Sequence, residues 1–194
     1  MTGPTHVAIA VAATLALTAN GHQPPNAIGW LVLIIGSLAP DIDAGGGTIA
    51  RPGSLAGRLL PHWLARLLDG IGTMISRVIR AILGHRNATH WLIWPVVIMM
   101  LGFNLDKAWL WWFGWGYLWH IAGDFCTVAG VPLFGPIFNK DIKWSPVRTG
   151  SWMEWLVSFA VWGVIFYYGW AYIPPEAQAW LVTMGYKIKL LAGI

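Results

Sequence analysis

The sequence predicts an all-α fold, a polytopic membrane helical bundle of five to six apolar helices with an interfacial amphipathic helical segment. Three observations lead there. Of the 194 residues 57% are hydrophobic and only 10% are charged, a balance foreign to a water-soluble domain of this size. The apolar residues fall in runs of helical length separated by turn-rich breaks. The 15 tryptophans are spread through those runs, as interfacial anchors and lipid-facing bulk. The net charge of +4 lies in two connecting segments and near the C-terminus. It forms no basic block with interleaved aromatics, so nucleic acid is not expected as a partner. Cys126 stands alone, which implies no intramolecular disulfide and no thiolate zinc site. It reads as a small buried apolar residue.

Thr5 to Ala19 is the first apolar helix, closed by Asn20-Gly21 and by Gln23-Pro24-Pro25-Asn26. No basic region precedes it and no persuasive cleavage site follows, so it is expected to be retained. Ala27 to Ala39 is a second apolar helix, ended by Pro40 and followed at once by Asp41 and Asp43. Both are shorter than the ~20 residues of a full span, which predicts thin, tilted or partly interfacial helices. After the flexible loop at Ala44-Gly45-Gly46-Gly47, residues Ser54 to Leu83 alternate Arg58, Arg66, Asp69, Arg77 and Arg80 with leucines and isoleucines at helical spacing. One or two amphipathic helices are expected, lying on a membrane surface or packed on the protein itself. A polar island from Gly84 to His90 precedes the third apolar run, Trp91 to Asn104, with Thr89 placed as its N-cap. The fourth helix, Trp109 to about Ala129, holds His120 and Asp124. Trp152 to Tyr172 is the longest clean apolar span, and Ala177 to Leu191 is either a sixth span or a second surface helix. One membrane-embedded domain, 1–194, is expected, with the metal-site and interfacial helices in 1–136 and the C-terminal helices in 137–194.

Six arginines lie between helices two and three, so that segment is placed in the cytoplasm by the positive-inside rule. Counting outward, the N-terminus and the Lys140 to Arg148 connection are also cytoplasmic. This places His6, Asp41, Asp43, His85 and His90 at the cytoplasmic ends of their helices, and His120 and Asp124 in the cytoplasmic half of helix four. Seven ligand-type side chains thus reach a similar depth, although none of them entered the topology argument. His120 and Asp124, four residues apart, leave one helix face together. An aspartate near the bilayer centre costs about 2.5–3.5 kcal/mol, and a bound cation would offset that cost.

Imidazole and carboxylate donors without thiolates suit a divalent metal, zinc first, with manganese or iron as alternatives. Seven candidates exceed the needs of one zinc, so one or two ions are considered. In a two-metal centre Asp41, Asp43 or Asp124 would bridge or orient while a bound water is activated, and Arg86 could neutralise an anionic substrate oxygen. Each residue also has a structural reading: His6 as a satisfied helix-end histidine, Asp41 and Asp43 as a helix end in water, His85 and His90 as loop residues. His22 and His62 fall outside the cluster. Trp115 and Trp119 could wall a substrate pocket.

Thr5-His6, Pro40-Asp41-Ile42-Asp43, the segment His85 to His90, the segment Gly116 to Thr127 and Gly130-Val131-Pro132-Leu133-Phe134 together resemble the predicted membrane-bound metal-dependent hydrolases of bacteria, some described as LexA-regulated inner-membrane proteins. The resemblance covers about Thr5 to Pro136, and the last third matches only as a hydrophobic region. It implies an inner-membrane location, a divalent metal held through His6, Asp41, Asp43, His85, His90, His120 and Asp124, and hydrolysis of an ill-defined substrate. The Asp41/Asp43 and His120/Asp124 pieces are loosely similar to zinc-dependent phospholipase C and P1-type nucleases, which tilts the reading toward a phosphoester. Family members often carry a further polar residue after the aspartate pair, where this chain has Ala44-Gly45-Gly46-Gly47.

The leading expectation is a metal-dependent hydrolase at the cytoplasmic membrane surface, acting on a phospholipid or another membrane-associated ester, with membrane lipid as its partner. A small ion transporter would need polar groups through the outer half of the helices, where only Asn20, His22, Asn104 and Asp106 stand at the ends. A non-catalytic membrane regulator stapled by a closed metal site remains open, as does a homodimer through Ser54 to Leu83 or the last helix.

Overall fold

The computed structural model describes residues 1–43, 50–57, 60–83, 88–138 and 140–192, without the side chains of 55, 83 and 185–192. The glycine loop after Asp43, and His85 and Arg86, lie outside the described residues. Among those described there are eight α-helices: α1 (Gly3–Ala19), α2 (Ala27–Leu38), α3 (Pro52–Ala56), α4 (His62–Leu83), α5 (Ile93–Asn104), α6 (Ala108–Phe125), α7 (Trp152–Gly169) and α8 (Pro175–Ala192). Short 3-10 helices follow α2 (Ala39–Asp43), precede α5 (Ala88–His90) and extend α7 (Trp170–Tyr172).

The local causes are legible. Pro4 sits in the first turn of α1, where a missing N–H costs nothing. Its last turn closes where Gly21 takes a φ of +92°. The Asn26 side chain accepts from the Gly29 N–H at 2.8 Å and starts α2. Pro40 cannot donate an intrahelical hydrogen bond, and the chain tightens there into the 3-10 helix.

Helix α6 is the hub, with α2 and α5 laid along it and α1 touching α6, α2 and α7. Ala10, Leu33 and Trp112 form one buried cluster at this junction, and Tyr117, Ile121 and Val131 another. The approach of α2 to α6 depends on glycine. A Cβ on Gly36 would lie 2.2 Å from the Phe113 carbonyl oxygen, and one on Gly116 would lie 2.1 Å from that of Leu33. The absence of side chains at these two positions brings the two backbones into contact.

The Trp152–Tyr172 segment, 21 residues with a mean hydropathy of 1.2, is the described helix long and apolar enough to cross a membrane; Gly3–Ala19 and Ile93–Asn104 are apolar and shorter. On its outer face Trp155, Phe159, Trp162 and Phe166 are 59–69% exposed. Its first turn clasps α1. Glu154, only 3% exposed, accepts from the Thr2 N–H and the Gly150 N–H, each at 2.6 Å. Thr5 and Ser158 hydroxyls pair at 3.2 Å just beyond.

The arginine-rich segment forms two helices. The Ser54 N–H and hydroxyl reach the Asp69 carboxylate at 2.9 and 2.5 Å, tying α3 to α4 and holding that carboxyl below the usual carboxylate range. Along α4, Trp63, Leu67, Ile71, Met74, Val78 and Ile82 recur at helical spacing, and all are 45–74% exposed. This stripe does not serve packing within the described chain.

Two local expectations need correction. Helix α6 stops at Phe125 rather than near Ala129, because Thr127 turns back onto Asp124, its N–H and hydroxyl reaching that carbonyl at 2.9 and 2.8 Å. Thr89 does not cap α5, whose N-cap is Leu92 without a side-chain bond. Its hydroxyl pairs with His90 Nδ1 at 3.0 Å instead.

Gly116→Ala is expected to lower stability by about 1–3 kcal/mol, the range for overpacking, read as a fall in the thermal midpoint in detergent. Glu154→Ala removes the shared acceptor of two N–H groups, at about 1–3 kcal/mol for each donor left buried. Unfolding followed by circular dichroism should show that loss, and Glu154→Gln should recover part of it.

Candidate metal centre

Four elements deliver side chains to one point. Helix α6 presents His120 and Asp124 a turn apart, the 3-10 helix after α2 supplies Asp41, and the one before α5 supplies His90. One ligand atom from each of these four lies within 4.8 Å of all the others. The His90 Nε2 is 3.5 Å from Asp124 Oδ2 and 3.9 Å from Asp41 Oδ1. The His120 Nε2 is 3.7 Å from each of the same two oxygens. His6, from the first turns of α1, stacks on His120 with ring centroids 3.7 Å apart and places its Nε2 3.2 Å from Asp124 Oδ1. The Met1 α-amino group also meets Asp124 Oδ1, so positive charge is already drawn to this carboxylate.

The surrounding shell fixes how the rings present themselves. His120 Nδ1 donates to the Ser37 carbonyl at 2.8 Å, which leaves the Nε2 lone pair facing the carboxylates. Ser37 lies in the last turn of α2, just before Pro40, which has no N–H to offer this carbonyl. The His90 segment is held on α6 by Tyr117, whose hydroxyl donates to the Thr89 carbonyl at 2.5 Å, and is tied to the start of α5 by the Trp94 indole N–H, which donates to the Ala88 carbonyl at 2.6 Å.

The donors fit a divalent cation. His90 Nε2 and His120 Nε2 are buried and have no hydrogen-bond partner, an arrangement that native interiors avoid unless a ligand completes it. A tetrahedron with ligand distances of about 2.1 Å has edges of about 3.4 Å, close to the observed nitrogen–oxygen separations of 3.5 to 3.9 Å. Two imidazoles and two carboxylates suit zinc, and equally manganese or iron. His90, His120 and Asp124 are fully buried, while the Asp41 side chain is 18% exposed.

Of the seven ligand candidates read from the sequence, Asp41, His90, His120 and Asp124 form the cluster and His6 adjoins it. Asp43 is fully buried at the end of the same 3-10 helix as Asp41 and is not among the four mutually close donors. His85 lies outside the described residues, as does Arg86. His22 and His62 are exposed and apart from the cluster. Sequence reasoning missed Ser37, Tyr117 and Trp94. Nothing in the sequence marks a backbone carbonyl as the partner of His120 or of Tyr117.

The structure thus defines a helical protein with a buried His/Asp cluster that could hold a metal ion and, apart from the cluster, one described helix long and apolar enough to cross a bilayer. The profile of the family described as YdjM inner membrane protein matches residues 1–192, and the chain belongs to that family of bacterial inner-membrane proteins. Comparison with curated proteins gives no match, and comparison with solved structures gives none either.

His120→Ala and Asp124→Ala are each expected to strip bound metal from the detergent-purified protein. His62→Ala, which changes an exposed histidine, should keep it. Metal per chain by elemental analysis after reconstitution with zinc or manganese measures both.

Proposed function

We propose that this protein is a polytopic inner-membrane hydrolase that uses a divalent metal, zinc in the first place, to cleave a phospholipid or another membrane-associated ester or phosphoester. The observation that carries the reading is the asymmetry of the cluster. Three donors are sealed in the interior and the fourth, Asp41, reaches the surface. A structural metal staple is closed on all sides, whereas a catalytic one keeps an open position.

When bound, a divalent ion supplies Lewis-acid polarisation and activates a water molecule as nucleophile. The residues have separate tasks around it. His90, His120, Asp41 and Asp124 hold the ion, with His6 beside them. Ser37 fixes the His120 tautomer through its carbonyl. The accessible edge at Asp41 admits the scissile group, and Asp41 is placed to accept a proton from the attacking water. Asp43 orients the same turn. Arg86 is assigned from sequence alone, as the cation facing an anionic oxygen of the substrate.

The arginines between α2 and α5 support a cytoplasmic orientation for the N-terminus and the site. The open apolar stripe of α4, flanked by exposed Arg66, Arg77 and Arg80, supports a helix lying in the headgroup layer, where it would gather anionic lipid. Short α1, α2 and α5 are then thin or tilted members of one membrane-embedded unit.

The test is hydrolysis in proteoliposomes of phosphatidylethanolamine, phosphatidylglycerol and cardiolipin, with products identified by mass spectrometry in ¹⁸O-labelled water. Metal-loaded wild type should release an ¹⁸O-bearing product, and Asp41→Asn should release at least about 100-fold less, the scale of a lost general base. A wild type that retains its metal yet cleaves none of these lipids would favour the structural staple.

A further inference from the structure

Where α3 lies against the middle of α4 the surface opens into a recess of about 360 Å³, lined by Arg51, Asp69, Gly70, Thr73, Met74 and Arg77. The two arginines are exposed, and neither forms a salt bridge among the described residues. Asp69 is already engaged, since its two oxygens accept from the Ser54 N–H and hydroxyl. Two guanidinium groups thus face one occupied carboxylate, and the recess keeps an excess of positive charge.

The recess is built rather than incidental. An added Cβ at Gly53 would stand 2.0 Å from the Ala65 carbonyl oxygen, and one at Gly72 would stand 2.5 Å from that of Ala50 and 3.1 Å from Pro52 Cδ. The residues on either side of Arg51 therefore rest directly on α4, next to Thr73, and the Ser54–Asp69 bonds lock them there. Gly70 has a different reason to be glycine. Nothing lies within 4 Å of the place its Cβ would take, so packing does not demand it, although glycine weakens a helix interior more than any residue except proline. What its bare backbone does is leave the recess open.

The lining narrows the occupant to an anion with an apolar part. Arginine forks match the paired oxygens of a phosphate group, and Thr73 adds a hydroxyl. Met74, on the rim, is 61% exposed and belongs to the apolar stripe of α4. A free phosphate has no counterpart for that edge, whereas a phospholipid has one for each side of it.

We propose that this recess is a phospholipid headgroup site: Arg51 and Arg77 hold the phosphodiester, and the hydrocarbon chains pass over Met74 onto the stripe. The assignment rests on the placement of α4 in the headgroup layer and is independent of hydrolysis. It turns a general attraction between arginines and lipid into one seat with a defined occupant.

Native mass spectrometry of the full chain in detergent, titrated with phosphatidylglycerol, reads the affinity of the first lipid bound. Arg51→Gln and Arg77→Gln should each weaken it by about twentyfold or more, the scale of a lost hydrogen bond to a charged group. Arg66→Gln and Arg80→Gln remove the same charge outside the recess and should cost about fivefold or less, the worth of one arginine near an anionic surface. Gly70→Leu keeps every charge, favours the helix and fills the recess, so it should weaken binding as much as the loss of either arginine, with no fall in the thermal midpoint. Glycerol phosphate and the matching diacylglycerol, each holding half of the proposed occupant, should both bind far more weakly. Equal losses in all four glutamine variants, wild-type affinity in Gly70→Leu, or glycerol phosphate binding as tightly as the lipid would overturn the site. Placement is read separately, by photolysis of a phosphatidylglycerol with a diazirine in one acyl chain in vesicles of the same lipid. Adducts along residues 63–82 in wild type and Arg51→Gln alike, with equal affinities in the titration, would remove the site and keep α4 on the membrane. No adducts there in wild type would remove both.

Discussion

The structure depends on a carboxylate where an apolar helix should have none. Asp124 sits fully buried in α6, and a charge so placed must be met by groups from elsewhere in the chain. They come from α1 as His6, from the residues before it as the Met1 amino group, from the turn before α5 as His90, and from α6 itself as His120. Met1 and His6 lie more than a hundred residues before Asp124 in the sequence, so their meeting with it is a constraint on the whole bundle. Helix α6 is the hub because it carries the group that the others must reach.

Reaching it requires closeness that ordinary side chains forbid. The glycines at 36 and 116 bring the α2 and α6 backbones into contact, which lowers the end of α2, and with it Asp41, to the depth of His120. At the opposite edge the clasp between Glu154 and the start of α1 holds Thr2, one turn before His6. The C-terminal third of the chain thus acts on the site through the Glu154 carboxylate, although the described donors of the cluster all precede residue 125.

The sequence disclosed the parts that obey a period or a price. His120 and Asp124 announce themselves by four-residue spacing within a run too apolar to tolerate them, and the convergence of Asp41 and His90 follows from counting helices. Helix positions were legible to within a few residues for the same reason. What stayed hidden lies in the backbone. The end of α6 is set by Thr127 folding back on Asp124, the role of Thr89 by a ring beside it rather than by a helix terminus, and the presentation of His120 by a carbonyl. Backbone donors and acceptors are the same at every residue, so sequence marks them only where proline deletes one.

That deletion gives position 40 an unusual meaning. Proline there is ordinarily counted as a shape-setting residue, the end of a helix. Here it also sets the turn in which the Ser37 carbonyl, three residues before it, meets the Nδ1 of His120 and Asp41, directly after it, faces the Nε2 of the same ring. The proline thus stands between two groups that address opposite sides of one imidazole, and a change at this position reaches the ring as well as the end of the helix.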